Sequence, residues 1–212
     1  MMNIQKIQPG QKMLIVRYGV NIEENCIELH KRIVLSKGYC WFGKIGIVPS
    51  KSSYLPVLGE DNPFMILYNR RAAYLCDFLD ICFDKPDDGY PSYYQNAFFD
   101  RYEFPGCYFK LGSITEIDIE RLSEFYVVSS GNDALTTLNS ARTSFLFVSY
   151  GKLSDEEVEK IRIKKANMQK DNRPVLSVND CYYKKEGICT LKSCISYQYE
   201  CERPSSCAKQ RR

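Results

Sequence analysis

A chain of 212 residues, 44% of them apolar, has material for one sizeable domain with an appendage, and its composition excludes a wholly disordered polypeptide. The net charge of +3 is unevenly spread: residues 1–150 carry 15 Lys and Arg against 17 Asp and Glu, whereas residues 151–212 carry 14 against 9. A body of that sign is no general polyanion binder, so contact with nucleic-acid phosphates has to come from a local patch or from the tail.

In chain order, Lys12 to Val20 is predicted as a buried strand interrupted by Arg17. Asn21 opens a helix on which Ile22, Cys26, Leu29, Ile33 and Val34 recur at helical spacing, with Gly38 as its stop. The next strand holds the only tryptophan, in Gly38-Tyr39-Cys40-Trp41-Phe42-Gly43-Lys44, and ends at Pro49-Ser50. Two readings of it stand: a pocket floor for a flat ligand beside a lysine, or a core strand whose Trp fills volume. Residues 51–62, with Pro56 and Gly59, read as a loop. Phe64–Tyr68 and Ala73–Phe83 read as a hairpin turned at Asn69-Arg70-Arg71. Residues 84–107 form a long aromatic-rich segment without regular pattern, and such a segment inside a compact domain points to function. Gly106–Leu111 is a strand, Ile117–Phe125 a short helix started near Thr115 or Asp118, and Tyr126–Val128 a brief strand. Gly131 then makes a turn before a helix capped by Asn132 or Asp133. Thr143–Tyr150 closes the body as a strand.

Strands dominate and mostly follow hairpin-like links, so the expected class is α+β, a small mixed β-barrel with peripheral helices over residues 1–150. Residues 151–180 read as a basic helix, opened by the capping box Ser154-x-x-Glu157, and a linker. No stretch has the apolar length of a secretory signal or a membrane span, and the chain reads as soluble and cytoplasmic.

Residues 181–212 hold five of the ten cysteines, Cys181, Cys189, Cys194, Cys201 and Cys207, in a stretch poor in aliphatics. A structural zinc would supply the stabilisation that burial cannot, and Cys181, Cys189, Cys201 and Cys207 form two outer pairs for a tetrathiolate site, leaving Cys194 out. Free thiols, or disulfides in an oxidising compartment, are the alternatives; no close-spaced run supports an iron–sulfur cluster.

The patterns of common catalytic sites are missing. His30 is the sole histidine, and neither a P-loop, GxGxxG nor HExxH occurs. Asp77 and Asp80 differ in strand parity and are expected on opposite faces, which argues against a paired-carboxylate nuclease. The expectation is a protein that is not an enzyme.

Gly38-Tyr39-Cys40-Trp41-Phe42-Gly43-Lys44, followed by Pro91-Ser92-Tyr93-Tyr94, Tyr108-Phe109-Lys110-Leu111 and Ser129-Ser130-Gly131-Asn132, resembles the PUA-like superfamily, and within it EVE-type domains, over about residues 12–150. The resemblance implies a nucleic-acid-binding module that recognises a base or modified nucleotide of DNA or RNA. It implies a pocket of Tyr39, Trp41, Tyr93 and Tyr94, with Lys44, Asn132 or Arg142 as polar contacts and the basic tail on the phosphates. The chain lacks the longer charged-aromatic signature of many EVE domains, so no particular ligand carries over. The competing class is a non-catalytic protein-interaction or regulatory subunit of a larger bacterial or phage complex, docking through the aromatic loop.

Overall fold

The computed structural model describes residues 7–19, 23–141, 143–170, 184–185 and 188–189. Its centre is the strand β1, Lys12–Arg17, whose apolar run is explained by burial on both faces. Met13 and Ile15 enter one hydrophobic cluster, Leu14 and Val16 the other. The strand β3, Phe64–Asn69, lies parallel to β1 and divides its side chains in the same way, Phe64, Ile66 and Tyr68 to one side and Met65 and Leu67 to the other. Each of these fully buried side chains contributes roughly 1.5–3 kcal/mol relative to exposure.

Between β1 and β3 the chain forms α1 (Cys26–Lys37), β2 (Cys40–Lys44) and α2 (Lys51–Leu58). The helix α1 stops where Gly38 takes a left-handed φ of 80°, as the sequence predicts. It begins four residues beyond the expected Ile22, and Val20 to Ile22 lie outside the described residues. The helix α2 replaces the expected loop. Pro56 masked it, yet Tyr54 and Val57, three residues apart, bury against the sheet, and that packing outweighs one proline near the helix end.

After β3 come β4 (Ala72–Cys82), β5 (Cys107–Leu111), β6 (Thr115–Ile117), a 3-10 helix (Ile119–Glu124) and β7 (Phe125–Val127). The helix α3 (Ala134–Ser140), β8 (Phe145–Tyr150) and α4 (Asp155–Lys170) follow. Asp118 caps the 3-10 helix through the Glu120 N–H, and Asp133 caps α3 through the Thr136 N–H. The Ser154–Glu157 capping box forms in both directions, Ser154 N–H to Glu157 and Glu157 N–H to Ser154 Oγ.

The class is α+β. The sheet runs β2-β5-β4-β3-β1-β8-β7, with β6 added to β4, and all pairs except β1 with β3 are antiparallel. Where a closed barrel was expected, β2 and β7 are the two ends of an open sheet. The helices α1 and α2 cover one face, and α3 with the 3-10 helix covers the other.

The first compact unit is Met1–Ile161, so it includes the first turns of α4, where Lys12 pairs with Glu157 at 2.5 Å. In the second unit, Arg162–Arg212, the rest of α4 is helical, and β9 (Lys184–Lys185) pairs antiparallel with β10 (Ile188–Cys189). No helix among the described residues is long and apolar enough to cross a membrane.

Candidate functional site

The edge strand β2 exposes backbone groups that a second chain could pair with. The long segment between β4 and β5 occupies that edge. Trp41 N–H donates to Gly89 O at 2.7 Å, and Gly43 N–H donates to the Tyr94 hydroxyl at 2.7 Å. The segment's own order comes from aromatic packing: Tyr94, Phe98 and Phe99 cluster on Tyr108 of β5, with Trp41, Tyr90 and Tyr93 against them. Within it, Gln95–Phe99 is a π-helical turn, a rare geometry that recurs at functional sites.

Near Trp41 the chain closes upon itself. Gly89 lies so close that a Cβ there would sit 2.7 Å from Tyr39 Cε2 and 3.1 Å from Trp41 Cδ1, and its φ is +80°. Lys110 Nζ stands 4.4 Å from the Tyr39 ring centre and 5.6 Å from that of Trp41. Asp88 accepts from both the Tyr39 hydroxyl at 2.7 Å and Lys37 Nζ at 2.5 Å. These rings are engaged by the protein's own glycine, lysine and aspartate.

Behind β2, His30 is completely buried. Its Nδ1 is 2.6 Å from Cys26 O and its Nε2 is 3.1 Å from the Tyr94 hydroxyl. A carbonyl only accepts, so Nδ1 carries the hydrogen. Nε2 then accepts from Tyr94, whose oxygen in turn accepts the Gly43 N–H. The relay ties α1, the aromatic segment and β2 together around a neutral imidazole, and burial lowers the His30 pKa to about 4.

Beside this relay is an open pocket of about 100 Å³. The end of β1 supplies Arg17 and Tyr18, the entry to α1 supplies Glu23 and Cys26, and β2 supplies Phe42, Gly43 and Lys44. Tyr93, Tyr94 and Phe98 of the aromatic segment complete it. Lys44 is the notable member. It is 6% exposed, its Nζ donates to Ile45 O, and no carboxylate among the described residues pairs with it. Burial pushes its pKa down, and a buried ammonium with one acceptor has donor capacity left for a ligand. Tyr18 packs edge-on to Phe42, with ring centres 6.1 Å apart. A wider cleft of about 640 Å³ adjoins the pocket through Ile45, Tyr93 and Phe98 and is bordered by Arg101 and Phe104. Tyr102, next to it, is 85% exposed and holds φ at 56°, which is uncommon for a tyrosine.

The residues singled out from the sequence thus fall into separate places. Lys44, Tyr93 and Tyr94 meet at the pocket. Tyr39 and Trp41 sit under Gly89 and Lys110 and do not line it. Asn132 belongs to the β7–α3 turn, where its carbonyl accepts the Val127 N–H and its own N–H donates to Ser130. Arg142, Cys181, Cys194, Cys201 and Cys207 lie outside the described residues, and of Cys189 only the backbone in β10 is described. Among the described residues no group of three or more His, Cys, Asp or Glu is placed to hold a metal. Cys26, Cys40, Cys76 and Cys107 are buried free thiols, and burial raises Cys40 and Cys107 to about 12.

The parity argument for Asp77 and Asp80 needs correction. The β4–β5 register shifts between Phe78 and Asp80. Phe78 and Ile81 therefore both face the second hydrophobic cluster, which turns Asp77 and Asp80 to the other face together. Asp80 lies there across the ladder from Lys110.

Sequence reasoning missed Arg17, Tyr18, Glu23, Phe42 and Phe98 as pocket residues. For Arg17 there was a signal: one guanidinium ending an otherwise apolar strand. No family model, curated protein or solved structure matches the chain.

Proposed function

We propose that the protein is a nucleic-acid-binding module that receives a single base, ordinary or modified, in the pocket between β1, α1, β2 and the aromatic segment. The observation that carries this reading is Lys44, a buried cation that forms no ion pair among the described residues and stands among aromatic side chains. Such a site suits a flat ligand with an electronegative edge, its face against Tyr93 or Phe42 and a ring carbonyl or nitrogen toward Nζ. The pocket binds without catalysing: the only histidine is held neutral in a structural relay, and the core thiols of Cys40 and Cys107 are far from ionising.

The PUA-like, EVE-type assignment belongs to the same proposal. It is supported by the succession of strand, helix and aromatic-glycine strand, followed after the short α2 by the β3–β4 hairpin. So does the C-terminal zinc module of Cys181, Cys189, Cys201 and Cys207, which brings the basic tail to the phosphates of a cytoplasmic DNA or RNA. Elemental analysis of the untagged protein is expected to find about one zinc per chain; its complete absence with all thiols titratable refutes the module.

A second reading is favoured by the exposed Ile45 and Phe104, which line the wider cleft, and by the exposed Ile47 and Tyr102 close to them in sequence. They fit a docking face for another protein in a larger assembly. Titrating a labelled single-stranded oligonucleotide at rising salt separates the two. The nucleic-acid reading expects binding that weakens steeply with salt. Absence of binding at low salt removes it and leaves the docking face.

A further inference from the structure

A second cleft, of about 650 Å³, opens next to the aromatic pocket and shares Arg17, Tyr18 and Gly19 with it. Its remaining lining is Asn69 and Arg70 of the β3–β4 turn with Thr143 and Ser144 before β8, and none of these seven residues is acidic. Arg17 is held by its Nη2, which donates to Leu138 O at 2.5 Å and to Ala141 O at 3.2 Å. Its Nε is buried and has no acceptor among the described residues. Carbonyl partners leave the guanidinium charge uncompensated, and a buried N–H without an acceptor is uncommon in folded proteins. Arg70 is exposed and forms no ion pair among the described residues. Its turn is fixed by Asn69 Oδ1, which accepts the Arg71 and Ala72 N–H groups at 2.8 and 2.7 Å.

We propose that this cleft is a phosphate site, holding a backbone phosphodiester of the strand whose base enters the neighbouring pocket. The inference rests on the base-binding reading of that pocket and extends it. The ligand is a phosphate-bearing nucleotide within a single strand, not a free base or nucleoside. Two arginines that pair with no carboxylate among the described residues, with the Ser144 hydroxyl beside them, match the charge and the acceptor-rich surface of a phosphodiester; the Thr143 hydroxyl is already committed to Phe145 O at 2.7 Å. The negative body thus holds a local positive site of its own, independent of the tail.

The test uses the full chain and a fluorescein-labelled single strand of about eight nucleotides. Affinity is measured across a salt series for wild type, Arg70→Ala, Arg70→Glu and Tyr93→Ala, with thermal melts to establish folding. Arg70 is exposed on a turn, so its variants are expected to melt with wild type. Arg70→Ala should bind roughly five- to tenfold more weakly, with the slope of log affinity against log salt reduced by about 0.7; Arg70→Glu should weaken further. Tyr93→Ala should weaken binding with its slope unchanged. Arg70 variants that keep wild-type affinity and slope while Tyr93→Ala weakens binding overturn the phosphate site and leave the pocket standing. The opposite pattern keeps the phosphate site and removes the base pocket. No binding by wild type overturns both. Inorganic phosphate that displaces the labelled strand, at matched ionic strength, as fully as unlabelled strand does would make the cleft a free-anion site and overturn the nucleotide assignment.

Discussion

Two neighbouring regions of the protein have nearly the same ingredients and different states of completion. Around Trp41, two aromatic rings, a lysine and a glycine close on one another: Gly89 covers the rings, Lys110 stands over them and Asp88 ties Tyr39 to Lys37. Around Lys44, aromatic rings and a cation surround an opening, and the cation forms no ion pair among the described residues. In sequence the two are interleaved along β2. The strand's alternation sends Trp41 to the outer face and Phe42 and Lys44 to the inner one. An aromatic beside a lysine is therefore no binding site in itself. The unfilled partner positions mark the site.

On the proposed reading, the closed region and the His30 relay serve stability, and the open pocket binds. The largest effect is expected from acid. The neutral His30, at about 4, titrates below its ordinary value of 6.5, so the unfolded chain takes up the proton first as pH falls. Stability should be complete above pH 6.5 and decline between 6.5 and 4 by about 3 kcal/mol, a loss read by denaturant unfolding at several pH values. The decline should vanish in His30→Gln; a wild-type stability flat over that window would remove the relay from the account.

Next in size is Gly89→Ala, which forces a Cβ into Tyr39 and Trp41 at a positive φ and should cost about 2 kcal/mol. Oligonucleotide affinity of the folded variant should remain that of wild type, and an affinity loss larger than the stability loss would merge the two regions into one site. The smallest effect is that of Lys44→Met, which keeps the volume and removes the buried charge. Stability should stay level or rise slightly, while binding weakens by about 1 kcal/mol, roughly fivefold. A variant that is destabilised yet binds normally would make Lys44 a structural residue.

How far the sequence reveals this organisation depends on the range of the interactions. Local chemistry was legible: Gly38 as a helix stop, Asp118 and Asp133 each as one of two candidate caps, the Ser154–Glu157 box, and the hairpin at Asn69-Arg70-Arg71. Non-local pairing was less so. The parallel β1–β3 ladder and the β2–β5 ladder leave the sheet open, and neither follows from a hairpin signal. The bulge in β4 inverted the parity of two aspartates, since period-two counting has no means of locating an inserted residue. Of the residues that line the pocket, Lys44, Tyr93 and Tyr94 were among those the family resemblance implied. Glu23 and Phe98 were not, because only tertiary packing brings the entry to α1 to the aromatic segment, and Arg17 offered only its place as the one charge in an apolar strand.

The most direct measurement is the affinity of one short single-stranded oligonucleotide for wild type, Tyr93→Ala and Trp41→Phe, at one low salt concentration and with folding verified for each. The account predicts about a tenfold loss for Tyr93→Ala, in line with one lost base-stacking contact, and less than about a twofold change for Trp41→Phe. Equal losses, or a loss confined to Trp41→Phe, would contradict it and return the site to the outer face of β2.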